Sequence, residues 1–394
     1  MSQSHVYGSD YRHIPCAPLG IIATPGGRDL ARLIDAELVK EREHLLNDYP
    51  QYEAIPGFLR DTFIIDSDNP RFQNGEGKAV LYHSVRGLDL FFITDIGNWG
   101  IKYKRNGEEV SMAPDEHYQD LKRLLAAARG MGHRCNVIMP MLYESRQHRI
   151  AGRESLDCAI ALQELVHMGV DNIMTIDAHN SHVHNAIPNH GFENLHAAYQ
   201  IIKCMVRTLP EFNVGPENLV IVSPDLGGMD RGRFFAEQLH THLTGFYKLR
   251  DLSRVVNGKA PILEHKFLGG SIAGRDAIVV DDLIASGGSV IEVAYKLKEA
   301  GVKNVYVACT FMLFTSGVAE FQKAYEEGVI TRVFGTNATY CRPELLAAPW
   351  YTSVNVQRLI SLYIDLFNRN ESVAKLLDNS AKIRKLLEAH NLHA

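Results

Sequence analysis

Three short, almost wholly apolar runs in this chain each end on an acid. Asn172-Ile-Met-Thr-Ile176 runs into Asp177, Leu219-Val-Ile-Val222 is followed by Ser-Pro-Asp225, and Ala277-Ile-Val-Val280 ends on Asp281-Asp282. Runs this short and this apolar suit strands covered on both faces, as in a parallel sheet sandwiched between helices. Such sheets bind ligands outside the carboxyl ends of their strands. One aspartate at a strand end merely begins a turn; three on separate strands mark a site. Helical periodicity alternates with the strands. Leu30, Leu33, Ile34 and Leu38 follow a strand at Leu19–Ala23, and Leu156, Ala159, Leu162, Leu165 and Val166 form a stripe stopped by Gly169. The expected class is α/β. Two segments break the alternation, Lys40 to Leu59 and Gly100 to His117, and both read as insertions without a chemical signature, the second as a surface hairpin or loop.

Composition narrows the functions. A net charge of −5 supplies no basic field for nucleic acid or an acidic membrane. Cys16, Cys135, Cys158, Cys204, Cys309 and Cys341 form no CxxC and no zinc-ligand pair, so reduced thiols are expected. The start, Met1 to Pro15, is polar and lacks a signal peptide's apolar core, while the longest apolar stretch, Val305 to Phe314, is too short to span a bilayer. These features predict a cytoplasmic protein with no nucleic-acid or membrane partner. At 394 residues it has room for two or three domains.

The strongest chemical signal is Val279-Val-Asp-Asp-Leu-Ile-Ala-Ser-Gly-Gly-Ser289. A strand delivers two acids, then a small-residue loop opens a helix with the stripe Val290, Val293, Ala294 and Leu297. Ser289 and Glu292 have the spacing of a capping box. Ser286, Gly287, Gly288 and Ser289 offer unobstructed backbone N–H groups at a helix N-terminus, a place for a phosphate. Asp281 and Asp282 stand where they can accept from sugar hydroxyls. A plain strand-turn-helix would not need the paired acids. This segment resembles the phosphoribosyl-binding loop of the type I phosphoribosyltransferase superfamily.

The remaining motifs, in order, resemble ribose-phosphate pyrophosphokinase over nearly the full length. Gly20-Ile-Ile-Ala-Thr-Pro-Gly-Gly-Arg-Asp-Leu30 is similar to that family's first strand and helix, and Ser84-Val-Arg-Gly-Leu-Asp-Leu-Phe-Phe92 to a later strand. Arg71-Phe-Gln-Asn-Gly-Glu76 and Ser145-Arg-Gln147 resemble its two ATP-contacting segments. Thr175-Ile-Asp-Ala-His179 and Val222-Ser-Pro-Asp-Leu-Gly-Gly228 resemble its metal-binding loops, and Tyr247-Lys-Leu-Arg250 the start of its flexible catalytic loop. Thr310 to Ala319 and Thr336-Asn-Ala-Thr339 resemble two C-terminal landmarks.

The resemblance implies two phosphoribosyltransferase-type α/β domains, 1–193 and 194–394, each a mainly parallel sheet flanked by helices, with the C-terminal helix from about Asn355 packing back on the first. It implies transfer of the β,γ-diphosphate of Mg-ATP to the 1-hydroxyl of ribose 5-phosphate. Lys248 and Arg250 would be catalytic, in a stretch to Pro261 that closes over the phosphates. Phe72, Asn74, Glu76, Arg146 and Gln147 would bind ATP, while His179 and Asp225 would hold Mg2+. Asp281, Asp282 and Ser286, Gly287, Gly288 and Ser289 would bind ribose 5-phosphate. The Phe72 loop serves a neighbouring subunit in the family, so a dimer-based homo-oligomer, up to a hexamer, is implied. For Phe72 alone, core packing stands equally open.

Three departures stand out. The family's usual aspartate three positions after the second acid is Ala285, the segment after Gln147 reads His148-Arg-Ile-Ala-Gly-Arg153, and Asp230-Arg231 replaces a Lys-Arg pair. Ala285 leaves open an altered ribose acceptor, and the other two leave the family's regulators unassumed. His182, His184 and His190 have no ligand spacing that points to zinc. Two other functions compete: a phosphoribosyltransferase, which needs no ATP loop, and a non-catalytic subunit, which would be expected to lose the residues just named.

Overall fold

The computed structural model describes residues 14–128, 130–150, 152–209, 211–250 and 262–390. The chain divides into two compact units. The first comprises 1–196, 338–340 and 355–378; the second comprises 197–337, 341–354 and 379–394.

In the first unit a five-stranded sheet has the order β1 (Leu19–Ala23), β4 (Asp89–Ile93), β7 (Arg134–Ile138), β8 (Asn172–Ile176) and β9 (Gly191–Leu195). All of its ladders are parallel. Side chains alternate between the two faces of a strand, and both faces are covered. Ile22, Phe92, Val137 and Ile173 share a core with Leu121 and Leu124 of α2 (Pro114–Ala128) and Cys158 and Leu162 of α3 (Asp157–His167). On the other face α1 (Arg28–Asp48) packs against β1, β4 and α9 (Gln357–Asn368), and the Phe91 ring meets Phe367 edge-on at 6.3 Å. α10 (Ala374–Leu377) lies beside β9. Two small antiparallel pairs complete the unit: β2 (Ser67–Asp68) with β3 (Val80–Leu81), and the hairpin β5 (Lys102–Arg105) with β6 (Glu108–Ser111).

The second unit holds a seven-stranded sheet. Its order is β12 (Ile262–Leu268), β11 (His242–Arg250), β10 (Leu219–Ser223), β13 (Asp276–Ile284), β14 (Val305–Met312), β15 (Arg332–Thr336) and β16 (Tyr351–Val354). Only the β11–β12 ladder is antiparallel. On one face Val290, Val293 and Leu297 of α6 (Gly288–Glu299), Phe321 of α7 (Ala319–Glu326) and Leu345 of α8 (Pro343–Leu346) close a core over Val222, Val279 and Val307. The other carries α4 (Ala198–Thr208) and α5 (Met229–Gln238), with α11 (Ser380–Ala389) against both. The α/β class read from the sequence is what forms. No helix among the described residues is long and apolar enough to cross a membrane, and all six cysteines are free.

The Lys40–Leu59 stretch corrects the sequence reading. Its first part is no insertion: α1 continues to Asp48, and Pro50–Ala54 is a short 3-10 turn. The charged run concealed a buried anchor, because Arg42 is only 1% exposed. Arg42 donates from Nε to Asp365 Oδ1 at 3.1 Å, from Nη1 to Phe58 O at 2.8 Å and from Nη2 to Asn368 Oδ1 at 2.6 Å. Burial pulls its pKa below the ordinary arginine value, with Asp365 opposing. Asp365 also accepts from Arg369 Nη2 at 2.7 Å. This network fixes α9 against α1 within the first unit. Removing one partner of a buried pair leaves the other uncompensated, so Asp365→Ala is expected to lower the unfolding free energy by about 3–5 kcal/mol. Urea denaturation reads this, and a loss under about 1 kcal/mol would contradict the assigned role.

Candidate active site

Parallel pairing brings the carboxyl ends of β10, β11 and β13 to one edge of the second sheet. Asp225 follows β10 and caps the 3-10 turn Leu226–Gly228, its Oδ1 accepting from the N–H groups of Gly227 at 3.0 Å and Gly228 at 3.2 Å. That turn lies against β11 and β13. On β13, Asp281 pairs with Cys309 of β14, and the Asp282 N–H donates to Asp281 Oδ1 at 2.9 Å. Arg231 of α5 reaches both acids from the covering face, 3.3 Å from Asp282 Oδ1 and 3.9 Å from Asp281 Oδ1. Burial, then the charge of Asp282, pushes the Asp281 carboxyl up to about 7, against a partial pull from Arg231.

The strand continues through Ile284 to the loop. Ser286, Gly288 and Ser289 are exposed at the start of α6, and Gly287 is buried. Gly287 caps the helix in the left-handed conformation, φ 80°, and a Cβ there would stand 2.2 Å from Phe321 Cε2. Only glycine meets both demands. The capping box expected of Ser289 and Glu292 is therefore corrected: Ser289 already lies inside the first turn, because the left-handed Gly287 starts the helix earlier. The first N–H groups of a helix point outward along its axis and carry its positive end, the ordinary setting for an anion. Beside this loop, Ala285 O accepts from Thr315 N at 3.0 Å and Ile284 O from Phe314 N at 3.1 Å. Lys248 and Arg250 end β11, paired with His265 and Ile262 of β12. Residues 251–261, the rest of the expected flexible stretch, lie outside the described residues.

In the first unit, β7 and β8 again deliver their loops to one edge. Arg146 and Gln147 are exposed on the loop leaving β7, and exposed His179 follows β8. The rings of His148 and His179 are 5.6 Å apart. Burial, then His179, holds His148 below the ordinary histidine value. Asp177, one of the three strand-end acids read as marking a site, takes a positive φ of 44° and pairs with His196 Nδ1 at 2.9 Å. Phe72 is 54% exposed, which excludes the core reading. Its loop is closed by Phe72 N to Glu76 O at 2.7 Å, with Asn74 Nδ2 on Glu76 Oε2 at 2.8 Å. His182 and His184 turn onto Asn180 Oδ1 and Ser181 O in the 3-10 turn Ser181–Ala186. Among the described residues no group of three or more His, Cys, Asp or Glu is placed to hold a metal ion.

Two family models match in succession. Residues 20–169 match the N-terminal domain of ribose phosphate pyrophosphokinase, and 192–333 match the phosphoribosyl transferase domain. The chain belongs to the ribose-phosphate pyrophosphokinase family. It is 26% identical over 319 residues to the ribose-phosphate pyrophosphokinase of Vibrio parahaemolyticus, covering 79% of this chain and 91% of that relative. With that of Clostridium acetobutylicum it shares 28% over 266 residues, 67% of this chain and 75% of the other. The crystal structure of phosphoribosylpyrophosphate synthetase from Mycobacterium smegmatis shares the fold, with TM-score 0.69 and 20% identity over 89% of this chain and 99% of that one.

Within this family frame, Arg231 is the residue whose role the sequence missed. It was named only as the arginine beside the changed position Asp230; the signal available was its place one helical turn past a strand-end loop. Its partner Asp281 generates a pH dependence. A carboxyl whose folded pKa, about 7, exceeds the unfolded 3.8 stabilises the fold while protonated. That contribution is whole below about pH 4 and is lost as pH rises through about 7. Stability is therefore expected to fall over this window, and Asp281→Asn should flatten the fall. Equal slopes for the two proteins in denaturation at stepped pH would contradict the assignment.

Proposed function

We propose that this chain is a ribose-phosphate diphosphokinase that makes 5-phosphoribosyl 1-diphosphate and AMP from ATP and ribose 5-phosphate. The observation that carries the reading is the acid pair Asp281–Asp282 leading into the left-handed Gly287 and the N-terminus of α6. That sequence of groups suits a phosphorylated sugar: backbone N–H groups for the 5-phosphate, carboxylates for the 2- and 3-hydroxyls. We assign ribose 5-phosphate to the second unit and the adenine nucleotide to the first, through Phe72, Asn74, Glu76, Arg146 and Gln147. In this reading the exposed Phe72 ring stacks on adenine, and Asn74 and Glu76 pair with its edge.

The anomeric hydroxyl attacks the β-phosphorus, AMP leaves, and the diphosphate stays in one piece. Such transfer is catalysed by positioning and by neutralising charge on the phosphoryl oxygens. Lys248 and Arg250 are the cations we assign to that task. His179 and Asp225, each on its own unit, are the residues assigned to Mg2+. The donor chemistry fits: the Asp225 carboxylate is a hard oxygen donor at the 3-10 turn Leu226–Gly228, and the His179 imidazole, exposed after β8, would meet such a cation through the waters it keeps. Bound there, Mg2+ would supply positive charge to the phosphoryl oxygens. The exposure of Phe72 supports a loop offered to a neighbouring subunit, hence a dimer-based homo-oligomer.

The test is release of AMP from ATP, dependent on both ribose 5-phosphate and a divalent cation and abolished by a chelator. Lys248→Ala should lower kcat by about a hundred- to a thousand-fold, the scale of one lost charge-stabilising group. AMP release that ignores ribose 5-phosphate, or an unimpaired Lys248→Ala variant, would overturn the assignment.

A further inference from the structure

The segment 100–117 carries no chemical signature in the sequence, yet in the structure it holds the loop that bears Phe72, Asn74 and Glu76. We propose that the β5–β6 hairpin is a positioning element of the nucleotide subsite, with Tyr103 and Arg105 keeping loop 71–77 in the shape that receives the base. The inference rests on the reading of that loop as an ATP-binding loop.

Loop 71–77 exposes most of its side chains and has little core of its own. It is pinched by the Arg71–Gly77 bridge and by Gly75 N to Phe72 O at 2.9 Å. Its base is tied to α2: Arg71 Nη2 lies 2.6 Å from Asp120 Oδ2, and Arg123 Nη1 2.8 Å from Asp120 Oδ1. Asp120 is buried. Its tip is tied to the hairpin, where Asn106 N donates to Gln73 O at 2.8 Å. The stem of Arg105 lies over Gly75, which has φ 95°. A Cβ on that glycine would meet Arg105 Cδ at 3.0 Å and Tyr103 Oη at 3.6 Å.

The hairpin is anchored in turn. The Tyr103 hydroxyl donates to Glu116, which also accepts from Ala113 N at 2.9 Å and from Arg105 Nη1 at 3.5 Å. The Arg71 guanidinium sits 5.3 Å above the Tyr103 ring. Strand alternation puts Tyr103 and Arg105 on the loop side. Lys102 and Lys104 point the other way, Lys102 to Glu109 at 3.2 Å. One face of the hairpin is thus a strut against the loop, and the other is a solvated surface.

A loop held in its binding shape loses less conformational freedom when a ligand arrives. Loosening it costs nucleotide affinity, leaves the sugar-phosphate cradle on the second unit untouched, and spares the chemical step. The variants are Arg105→Ala and Tyr103→Phe, with Lys104→Ala as the opposite-face control and Arg105→Lys restoring stem and charge. The readouts are calorimetric binding of a β,γ-methylene ATP analogue without acceptor, KM and kcat for both substrates, and thermal melting.

Arg105→Ala and Tyr103→Phe should weaken analogue binding and raise the KM for ATP by about five- to ten-fold, with kcat and the KM for ribose 5-phosphate within about two-fold. Lys104→Ala and Arg105→Lys should resemble the wild type. If both loop-side variants bind the analogue like the wild type, or if Lys104→Ala weakens it equally, the strut is wrong. A fall in kcat with a rise in both KM values, alongside a lowered melting temperature, would mean a merely structural role and also overturn it. A wild type that binds the analogue but releases no AMP overturns the reaction while leaving the binding comparison valid. A wild type that binds no analogue overturns both.

Discussion

Parallel strands put all their carboxyl ends on one edge, and the rest of this molecule follows from what is placed there. A strand buried on both faces carries its terminal acid into a poorly solvated position, where its charge is expensive. Asp281 and Asp282 meet that cost together. One shares its oxygen with the other's backbone N–H, and Arg231 approaches both from the helix behind. The remaining cost appears as the raised Asp281 pKa. Asp225 solves the same problem by capping two N–H groups of its own turn. Groups kept in place against their own solvation suit the roles proposed for them, and that placement links the fold to the proposed diphosphate transfer.

The first unit uses the same sheet logic with different fittings. Its loops leave β7 and β8 carrying Arg146, Gln147 and His179, while Asp177 absorbs a left-handed backbone and meets His196. Two features are added to that frame. The α1–α9 pairing is sealed by buried Arg42, so residues 355–378 belong to this unit although the chain has already built the other sheet. The β5–β6 hairpin stands on α2 and steadies the exposed Phe72 loop.

Strands covered on both faces were legible because burial forces their composition: Asn172–Ile176 and Leu219–Val222 stand where their apolar runs put them. The loop proposed to hold the phosphate was legible as glycines between acids and a helix. Its cap was not, since Ser289 and Glu292 imitate a capping box while the left-handed backbone of Gly287, fitted against Phe321, starts the helix earlier. Arg42 was invisible for a related reason. A charged residue in a charged run looks solvated until Asp365, more than three hundred residues later, supplies its partner. The hairpin was visible at Asn106-Gly107, where both residues take positive φ, but its grip on loop 71–77 depends on pairings no local pattern records. Arg231 was read in the sequence only as the neighbour of the changed position Asp230; the packing of α5 on β13 shows where its charge goes.

The fate of the two terminal phosphates of ATP tests the central claim most directly. In a reaction of the protein with ATP, ribose 5-phosphate and Mg2+ followed by phosphorus NMR, the β- and γ-phosphorus atoms should remain coupled to each other as a diphosphate ester while AMP accumulates in equal amount. Orthophosphate with ADP, or free diphosphate with no sugar ester, would contradict it.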